Sequence, residues 1–592
     1  MVKLVRCSER GCSWTHGAGS RLLNTRLEDT DVLIIGSGGA GLRAAIEARR
    51  YGVKVTVVDK VVLGMNNSTR YSGGGIKAAL PGILSTAYTT QYECPREHFR
   101  QAMIHGEYLN DEALVEIMTF EGPARVLELK SLGVDTFDAM YLKVHYPHGS
   151  GLMGPLVNTA RKMGCTLRPG MVITRILVEG GRVVGAAGVD IYRGRCAAFR
   201  SGAVVIATGG AAETFLRNDT TVNTTGDGYT LALDAGASLR DMEIVQFEPY
   251  VQAEPGLPML DRHEAEAEFH GVLRNALGED FLVKYLPAVK AGQVPFEEQF
   301  GMALTDIRER VARAMVTEVA AGRGDQGAVL FDLRHVPAGK WESDFASQYA
   351  RKVLLRGFDV QKKPVHVLPG AICTLGGIAI DGDCRTDVPG LFAAGEATGG
   401  VHGAARLGGD GLLDPIVFGA RAGRSAALAS NVAPSVSKEL VEEARAEVAS
   451  VLAEGPANLE ILGKLRDQVK RTMWEQVGIL RTGEAIAAAI PVLDELAERV
   501  RATKVRSLRQ FKSRLETLNL ARVGRVIAGA AQRRMESRGA HFRTDFPQRD
   551  DERWMVNQFV RQDGRKLAYT ERPIRLRTTE LLKQSKFGIE VK

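Results

Sequence analysis

Apolar and polar positions along the chain first indicate a strand, a helix and a second strand. Residues 31–35, DVLII, form a short apolar run that ends in GSGGAG. The helix-like segment LRAAIEARRYG follows, and VKVTVVDK after it has the pattern of a strand. Two later apolar runs, at 202–210 and 389–400, also end in glycines. The pattern predicts a βαβ unit, and both later segments are expected in its parallel sheet because large proteins with such a unit return to that sheet late in the chain.

The first glycine turn has the spacing of a dinucleotide site. Gly36, Gly38 and Gly41 form GxGxxG, and Asp59 closes the second strand. The first glycine permits a tight turn, the second lets the backbone approach a pyrophosphate, and the third allows close packing of helix on strand. The pyrophosphate is expected at the helix N-terminus, and Asp59 is expected to accept hydrogen bonds from a ribose.

Beyond the βαβ unit the pattern changes twice. The stretch from about 244 is acidic, helix-rich and without glycine motifs, which predicts an inserted capping domain. From about 437 the chain has helical periodicity rich in Ala, Glu, Leu and Arg. The expected divisions are a basic arm (1–28), an α/β Rossmann-type domain (29–243 and 360–432), an α+β capping domain (244–359), a helical domain (437–555) and a tail without clear pattern (556–592).

Length, charge and cysteine content reduce the number of function classes that fit the chain. A chain of 592 residues predicts several domains. The net charge of +7 is modest for this length and argues against nucleic acid as a partner. The seven cysteines are scattered, without four close ligands, so we expect no metal or cluster site in this chain. No apolar run suits a membrane span or a secretory signal, which predicts a cytoplasmic protein that reaches a membrane only through a partner.

Several segments together resemble the superfamily of fumarate reductase, succinate dehydrogenase and L-aspartate oxidase flavoproteins. The similarity spans roughly residues 30–555 and is most specific at 395–423. The segments are GSGGAGLRAA (36–45), STRYSGGGI (68–76), TTGDGYTLALDAGA (224–237), DMEIVQFEP (241–249), TLGGIAID (374–381), GEATGGVHGAARLGGDGLLDPIVFGARAG (395–423), MWEQVGILR (473–481) and ESRGAHFRTDFPQRDD (536–551). The resemblance implies FAD in extended form, and a lid that closes a dicarboxylate over the flavin.

The resemblance also implies how FAD is held. In most quinone-linked members a histidine binds FAD covalently, and its position here is Ser68, so we expect non-covalent FAD. Thr69 is expected to line the flavin, while Asp227 and Glu396 are expected to hydrogen-bond the cofactor. The full expected set is Gly36, Gly38, Gly39, Gly41, Asp59, Lys60, Ser68, Thr69, Gly74, Gly75, Ala207, Thr208, Gly209, Asp227, Glu396, Arg406, Gly411 and Leu412.

Two arginines match the family's catalytic positions. Arg308 aligns with the arginine that transfers a proton next to the carbon receiving the hydride. Arg406, in HGAARLGG, aligns with the arginine that clamps a substrate carboxylate, which a planar guanidinium can hold through two parallel hydrogen bonds. His402 is expected one helical turn before Arg406.

Other substrate ligands of the family are absent. Ile372 and Glu248 each occupy the position of a substrate-binding histidine, and HEAEAEFHGVL at 263–273 replaces a segment with arginine and a threonine–glutamate pair. His263 and His270 are candidates there without a definite role. These changes favour a substrate with one carboxylate or a larger one.

Three functions remain open from the sequence. The first is a catalytic subunit that acts on a carbon–carbon bond next to a carboxylate, with Arg308, Arg406, His402 and Glu248 as site residues and an iron–sulfur partner. The second is an FAD subunit that only relays electrons in a larger complex. The third, an L-aspartate oxidase-like enzyme, also uses the histidine that Ile372 replaces.

Overall fold

The computed structural model describes most of the chain. The described residues are 26–72, 75–79, 94–134, 148–254, 271–286, 308–337, 339, 362–430, 434–452 and 459–577. Several sequence predictions lie outside these ranges, namely most of the basic arm, Gly74, and the candidates His263 and His270.

The described strands and helices alternate in the first half of the chain, and helices dominate after it. The strands are β1 (Arg26–Asp29), β2 (Val32–Ile35), β3 (Val55–Asp59), β4 (Thr166–Pro169), β5 (Met171–Glu179), β6 (Arg182–Asp190), β7 (Arg195–Arg200), β8 (Ala203–Ile206), β9 (Leu239–Arg240), β10 (Val245–Glu248), β11 (Val272–Arg274), β12 (Val329–Asp332), β13 (Val365–Val367), β14 (Gly370–Thr374), β15 (Gly377–Ile378), β16 (Leu391–Ala393), β17 (Val556–Asp563) and β18 (Lys566–Pro573). The helices are α1 (Gly39–Arg50), α2 (Ser68–Tyr71), α3 (Pro95–His105), α4 (Glu112–Ser131), α5 (His148–Lys162), α6 (Asp227–Asp234), α7 (Leu282–Tyr285), α8 (Arg308–Glu318), α9 (Asp410–Ala429), α10 (Lys438–Val451), α11 (Leu459–Val477), α12 (Gly483–Ala502), α13 (Leu508–Arg533) and α14 (Asp551–Trp554).

A parallel sheet forms the centre of the first domain. Its order is β16-β8-β2-β3-β4, and every neighbouring pair is parallel. The apolar run of β2 is buried along its whole length, as expected for a strand covered on both faces. The later segments 202–210 and 389–400 supply β8 and β16, so the prediction that they join this sheet is confirmed. The carboxyl ends of β2, β8 and β16 each carry a glycine turn. Ligands bind at the carboxyl ends of the strands in such sheets.

Smaller sheets surround this one. A second sheet has the order β1-β7-β6-β5, and residues 26–28, expected in the basic arm, belong to its edge strand β1. The capping region contains the three-stranded sheet β11-β12-β13 together with α7 and α8. Strand β10 pairs with β14, which ties the start of the capping region to the FAD-binding region.

The helical C-terminal region follows the predicted periodicity. Three of its helices begin after a Ser or Thr whose side chain accepts a backbone hydrogen bond, Ser437, Thr482 and Ser507. Such caps satisfy amide groups that the helix itself leaves without acceptors. Their apolar stripes pack on one another and on the large hydrophobic core.

The segment after 555 forms structure that the sequence did not predict. Strands β17 and β18 make an antiparallel hairpin, and Phe559 and Val560 pair with β9. The hairpin therefore extends the small sheet β15-β9-β17-β18 beside the FAD-binding region. Among the described helices, none is long and apolar enough to cross a membrane.

Candidate active site

The first glycine turn joins β2 to α1 with very close backbone packing. Gly36 has φ +108°, and a Cβ on it would lie 2.2 Å from the carbonyl oxygen of Ala207. A Cβ on Gly41 would lie 2.0 Å from the carbonyl oxygen of Gly36. Neither position can hold a larger residue without moving the backbone. Gly38 caps α1 without a side-chain hydrogen bond, so the helix presents its first amides and its positive dipole end.

Asp59 lies at the end of β3 and is tied to the glycine turn. Its carboxylate accepts hydrogen bonds from the backbone and hydroxyl of Ser37, at 2.8 and 2.6 Å, and from Val61 N at 3.0 Å. Burial raises the pKa of Asp59, and these donors oppose that rise. Asp59, to which the sequence assigned ribose binding, thus also holds the glycine turn in place.

Lys60 and Asp227 are joined in one partly buried cluster. The Lys60 ammonium lies 2.7 Å from Asp227 and 2.8 Å from Glu516 of helix α13. Burial raises the pKa of Asp227, but Lys60 and the hydrogen bonds from Asn519 and Thr225 outweigh it and lower the pKa overall. The sequence identified Lys60 and Asp227 as cofactor residues. It carried no signal for Glu516 and Asn519, which come from a helix almost three hundred positions later.

The second glycine turn follows β8 and has free space around its backbone, whereas the backbone of the first turn is tightly packed. Gly209 has φ +74°, and a Cβ on it would meet no atom within 4 Å. The hydroxyl of Thr208 is buried and has no hydrogen-bond partner in the described part of the chain. Ala207, before it, is buried. Open space beside an unpartnered buried hydroxyl is what a bound polar ligand would fill.

Glu396 follows β16, the third strand that ends at this edge. Its Oε1 accepts the backbone N–H of Thr374 at 3.2 Å. Burial raises the pKa of Glu396, and the N–H of Thr374 and the charge of Arg406 act against that rise. The neighbouring Cys373 is buried, and this raises its pKa well above 9.0, so it is a neutral thiol.

These residues fit an extended dinucleotide such as FAD. The amides of α1 suit a pyrophosphate, and the three strand ends continue from it in one direction. Thr69 already lies at the turn, where its hydroxyl accepts the N–H of Gly39 at 3.1 Å. Ser68, at the position of the histidyl link, has a buried hydroxyl with no partner among the described residues. Gly75 is half-buried nearby in the chain.

The structure brings Arg308 and Glu248 together. Arg308 is the first residue of α8, and its Nη1 lies 3.1 Å from Oε2 of Glu248, at the end of β10. Both side chains are buried, with 4% and 1% of their surface exposed. Arg308, expected to transfer a proton, and Glu248, expected at the position of a histidine, thus form one desolvated ion pair.

Arg406 lies in the turn before α9. Its Nη1 donates to the carbonyl of Leu407 at 3.1 Å, and its Nε has no hydrogen-bond partner in the described part of the chain. The guanidinium lies against Gly411, where a Cβ would be 3.0 Å from Nη1, and buried Leu412 follows. Of the carboxylates in the described ranges, none lies within 4.0 Å of this guanidinium.

His402 is positioned differently from its prediction. The expectation of one helical turn between it and Arg406 is wrong, because residues 402–409 form turns and the helix begins only at Asp410. Gly403, Gly408 and Gly409 lie on both sides of Arg406 in the sequence, and glycine has a low helix propensity. Nε2 of His402 lies 3.2 Å from Oδ2 of Asp414, and both are buried.

Gln246 is a site residue that the sequence did not indicate. Its side-chain amide donates to Oε1 of Glu309 at 2.7 Å and to the carbonyl of Arg406 at 3.2 Å. It therefore bridges the first turn of α8, which begins at Arg308, to the loop of Arg406. The only hint in the sequence was its place in the QFEP segment.

Family models and relatives cover most of the chain. A model described as FAD binding domain matches residues 31–146 and 138–412, and one described as fumarate reductase flavoprotein C-term matches 466–586. The chain is 33% identical to a fumarate reductase (CoM/CoB) subunit of Methanothermobacter marburgensis, over 89% of this chain and 96% of the relative. It is 30% identical to the succinate dehydrogenase flavoprotein subunit of Coxiella burnetii, over 93% and 97% of the two chains.

A solved structure of an E. coli quinol fumarate reductase is also similar. It has a TM-score of 0.81 and 28% identity, and the match covers 94% of this chain and 98% of that one. The predicted family, fold class and FAD-binding domain are thereby confirmed. This chain belongs to the flavoprotein subunits of the fumarate reductase and succinate dehydrogenase family, which are flavin-dependent oxidoreductases.

Proposed function

We propose that the chain is a catalytic flavoprotein subunit that adds hydrogen to, or removes it from, a carbon–carbon bond next to a carboxylate. The observation that carries the proposal is the bridge through Gln246, which joins the helix of Arg308 to the loop of Arg406. Both arginines lie on these two adjoining elements, and the Arg406 loop is next to the FAD-binding edge at Glu396.

FAD would be held by the glycine turns and the strand ends. The first amides of α1 would bind the pyrophosphate, and the other expected cofactor residues would line the rest of the molecule. Because position 68 is a serine, no histidyl bond to the flavin can form there, and we propose non-covalent FAD. When bound, FAD supplies or accepts the hydride.

The chain's own groups would bind the substrate and move the proton. Arg406 would hold the substrate carboxylate, with His402 fixed beside it by Asp414. Arg308 would transfer the proton at the neighbouring carbon, which its burial favours because an arginine in water is a poor acid. Glu248, 3.1 Å from Arg308, would return a proton to it between turnovers.

We further propose an iron–sulfur partner for electron transfer and a cytoplasmic location, with any membrane contact made through a partner. The names of both relatives given above describe them as subunits, which supports a complex of several chains. No group of three or more potential metal ligands occurs among the described residues. Electrons that leave the flavin singly would then pass to clusters on another chain.

A second candidate is a subunit that relays electrons without a small substrate. The observation that favours it is the ion pair between Arg308 and Glu248. In this pair one of the two expected substrate arginines contacts a carboxylate of the protein itself. Ile372, apolar where the family has a histidine, points the same way. A relay subunit would exchange electrons only with partner chains.

The test is anaerobic reoxidation of the reduced holoprotein. The flavin is reduced with dithionite and mixed with a panel of α,β-unsaturated mono- and dicarboxylates, while its visible absorbance is followed. The proposal expects reoxidation by at least one acid, slowed roughly 100-fold or more in Arg308→Ala. Arg310→Ala, at an exposed position of the same helix, is the control and should behave as the natural chain. Reoxidation by an artificial acceptor but by no acid would favour the relay candidate.

A further inference from the structure

Among the described residues of the candidate site, Arg406 is the guanidinium whose charge is available to a ligand. Arg406 is 8% exposed, and its Nη1 contacts only a carbonyl that carries no charge. Its Nε has no partner, and no carboxylate in the described ranges comes within 4.0 Å. The carboxyl of Glu396 feels the charge of Arg406 but lies beyond ion-pair distance, and burying an ionised group without a paired counter-charge is unfavourable. Arg406 is therefore ready to take one carboxylate from a ligand.

Arg308, the second arginine of the candidate site, adds no unopposed positive charge to that of Arg406. Arg308 and Glu248 lie 3.1 Å apart and are almost fully buried, so the negative charge of Glu248 opposes the positive charge of Arg308. A ligand carboxylate at this place would be repelled by the negative charge of Glu248 as well as attracted by the positive charge of Arg308. It would also lose its hydration without net compensation. The pair therefore disfavours a second negative charge on the substrate.

The wall near Arg406 is apolar. Ile372 of β14 is partly buried and packs against a cluster that includes Ala404, from the loop of Arg406. The buried members of this cluster are Leu109, Ile244, Cys373, Leu375, Ala404 and Ala540. An apolar group of a ligand gains free energy by leaving water for such a surface, whereas a carboxylate loses it.

We propose that the substrate carries a single carboxylate on an otherwise apolar skeleton, a 2-enoic acid or its saturated counterpart. This inference rests on the function proposed above and names its substrate class. In the reducing direction Arg308 would give one proton to the α-carbon, while the β-carbon would receive the hydride, two electrons and one proton, that reduced FAD supplies when bound. The double bond becomes a single bond, and Arg308 regains its proton from water through Glu248.

The first experiment compares acids on the natural holoprotein. The dithionite-reduced flavin is mixed anaerobically with (E)-2-butenoate, with (E)-2-hexenoate and with fumarate at equal concentrations. The inference expects at least tenfold faster reoxidation by the monocarboxylates. Equal or faster reoxidation by fumarate would overturn the inference and leave the proposed function standing. Silence with all three, while an artificial acceptor still reoxidises the flavin, would overturn both.

A binding measurement gives a readout independent of turnover. The oxidised holoprotein is titrated with butanoate and with succinate while the flavin spectrum is followed. Tighter binding of butanoate is expected, and tighter binding of succinate would contradict the inference.

Two matched variants test the role of the ion pair. Glu248→Gln removes the negative charge that lies 3.1 Å from Arg308, so the ratio of fumarate to butenoate rates should rise at least tenfold. Glu116→Gln removes one negative charge from an exposed position of helix α4 and leaves the pair and the Gln246 bridge intact, so it should keep the natural ratio. The ratio is compared because it does not depend on the fraction of active protein. An unchanged ratio in Glu248→Gln would overturn the inference.

Discussion

The side chains of Arg481 and His541 meet inside the C-terminal region, where Nη1 of Arg481 donates a hydrogen bond to Nδ1 of His541 at 2.7 Å. Both residues are fully buried. Since guanidinium groups only donate, Nδ1 is the acceptor, and Nε2–H donates to the carbonyl of Arg534 at 3.1 Å. Burial, together with the charges of Arg481 and Arg534, holds the pKa of His541 well below 6.5. The ring is a neutral, fixed tautomer.

The neutral His541 predicts a loss of stability in acid. Below pH 6.5 the unfolded chain takes up a proton on this residue that the folded chain does not, so the free energy of unfolding falls as the pH falls. Above that value the contribution is fully present. Midpoints of thermal unfolding should therefore drop more steeply below pH 6.5 in the natural chain than in His541→Gln. Equal pH profiles of the two proteins would contradict the prediction.

The same histidine also predicts a difference between two substitutions at high pH. His541→Phe leaves one N–H of the buried Arg481 without its acceptor, which should cost about 3 kcal/mol of unfolding free energy. His541→Gln offers a side-chain oxygen that can accept from Arg481 and should cost less. Both are measured above pH 6.5, where the titration plays no part. Equal costs would mean that packing, and not the hydrogen bond, explains the role of His541.

The glycine turn predicts a loss of cofactor in Gly41→Ala. The added Cβ would lie 2.0 Å from the carbonyl oxygen of Gly36, so α1 must move away from β2 and its amides with it. Purified Gly41→Ala should contain less than a tenth of the natural flavin per chain, measured by absorbance. The control is Gly154→Ala within helix α5, where a Cβ meets no atom within 4 Å and alanine favours helix by about 1 kcal/mol. Full flavin content in both variants would contradict the prediction.

The sequence predicted the parts of the structure that depend on local rules. The strands β2, β8 and β16 are short apolar runs before glycines, which predicts buried strands, and large proteins with such a βαβ unit return to its sheet late in the chain. The crowding around Gly36 also follows from local geometry. For this reason the cofactor edge of the fold was predictable from the residues.

The parts that depend on distant partners were not predictable. The ion pair of Lys60 with Glu516 joins residues more than four hundred positions apart. The sequence around either residue does not indicate the other as its partner. The hairpin of β17 and β18 is stabilised by pairing with the two-residue strand β9, too short to give a period. Arg308 and Glu248 were each singled out, but their ion pair requires the folded chain.

Ser68 predicts that the flavin is released on denaturation. A serine cannot form the histidyl bond, so FAD should be held by contacts that denaturation removes. After precipitation with trichloroacetic acid, all of the flavin absorbance should remain in the supernatant. The protein pellet run on a denaturing gel should show no flavin fluorescence. Fluorescence in the band would contradict the prediction and would require a different attachment residue.

The turn at Gly539 contacts the two elements that carry Arg308 and Arg406. Ala540 N donates to the carbonyl of Ala404, in the Arg406 loop, at 2.9 Å. The ring of Phe542 lies 4.6 Å from the guanidinium of Arg313, on the helix that Arg308 begins. This turn of the C-terminal region therefore packs against the elements that carry Arg308 and Arg406.

Gly539→Ala should accordingly weaken the binding of carboxylates without loss of FAD. Gly539 has φ +53°, and a Cβ on it would lie 2.3 Å from the carbonyl oxygen of Ala404, so the Arg406 loop must shift. The dissociation constants of butanoate and succinate, from titration of the flavin spectrum, should both rise about tenfold. Gly564→Ala is the matched control, because it has nearly the same φ of +57° but no atom within 4 Å of the added Cβ. Equal effects in the two variants would attribute the change to backbone strain alone, while a lower flavin content in Gly539→Ala would show that the turn supports the cofactor instead.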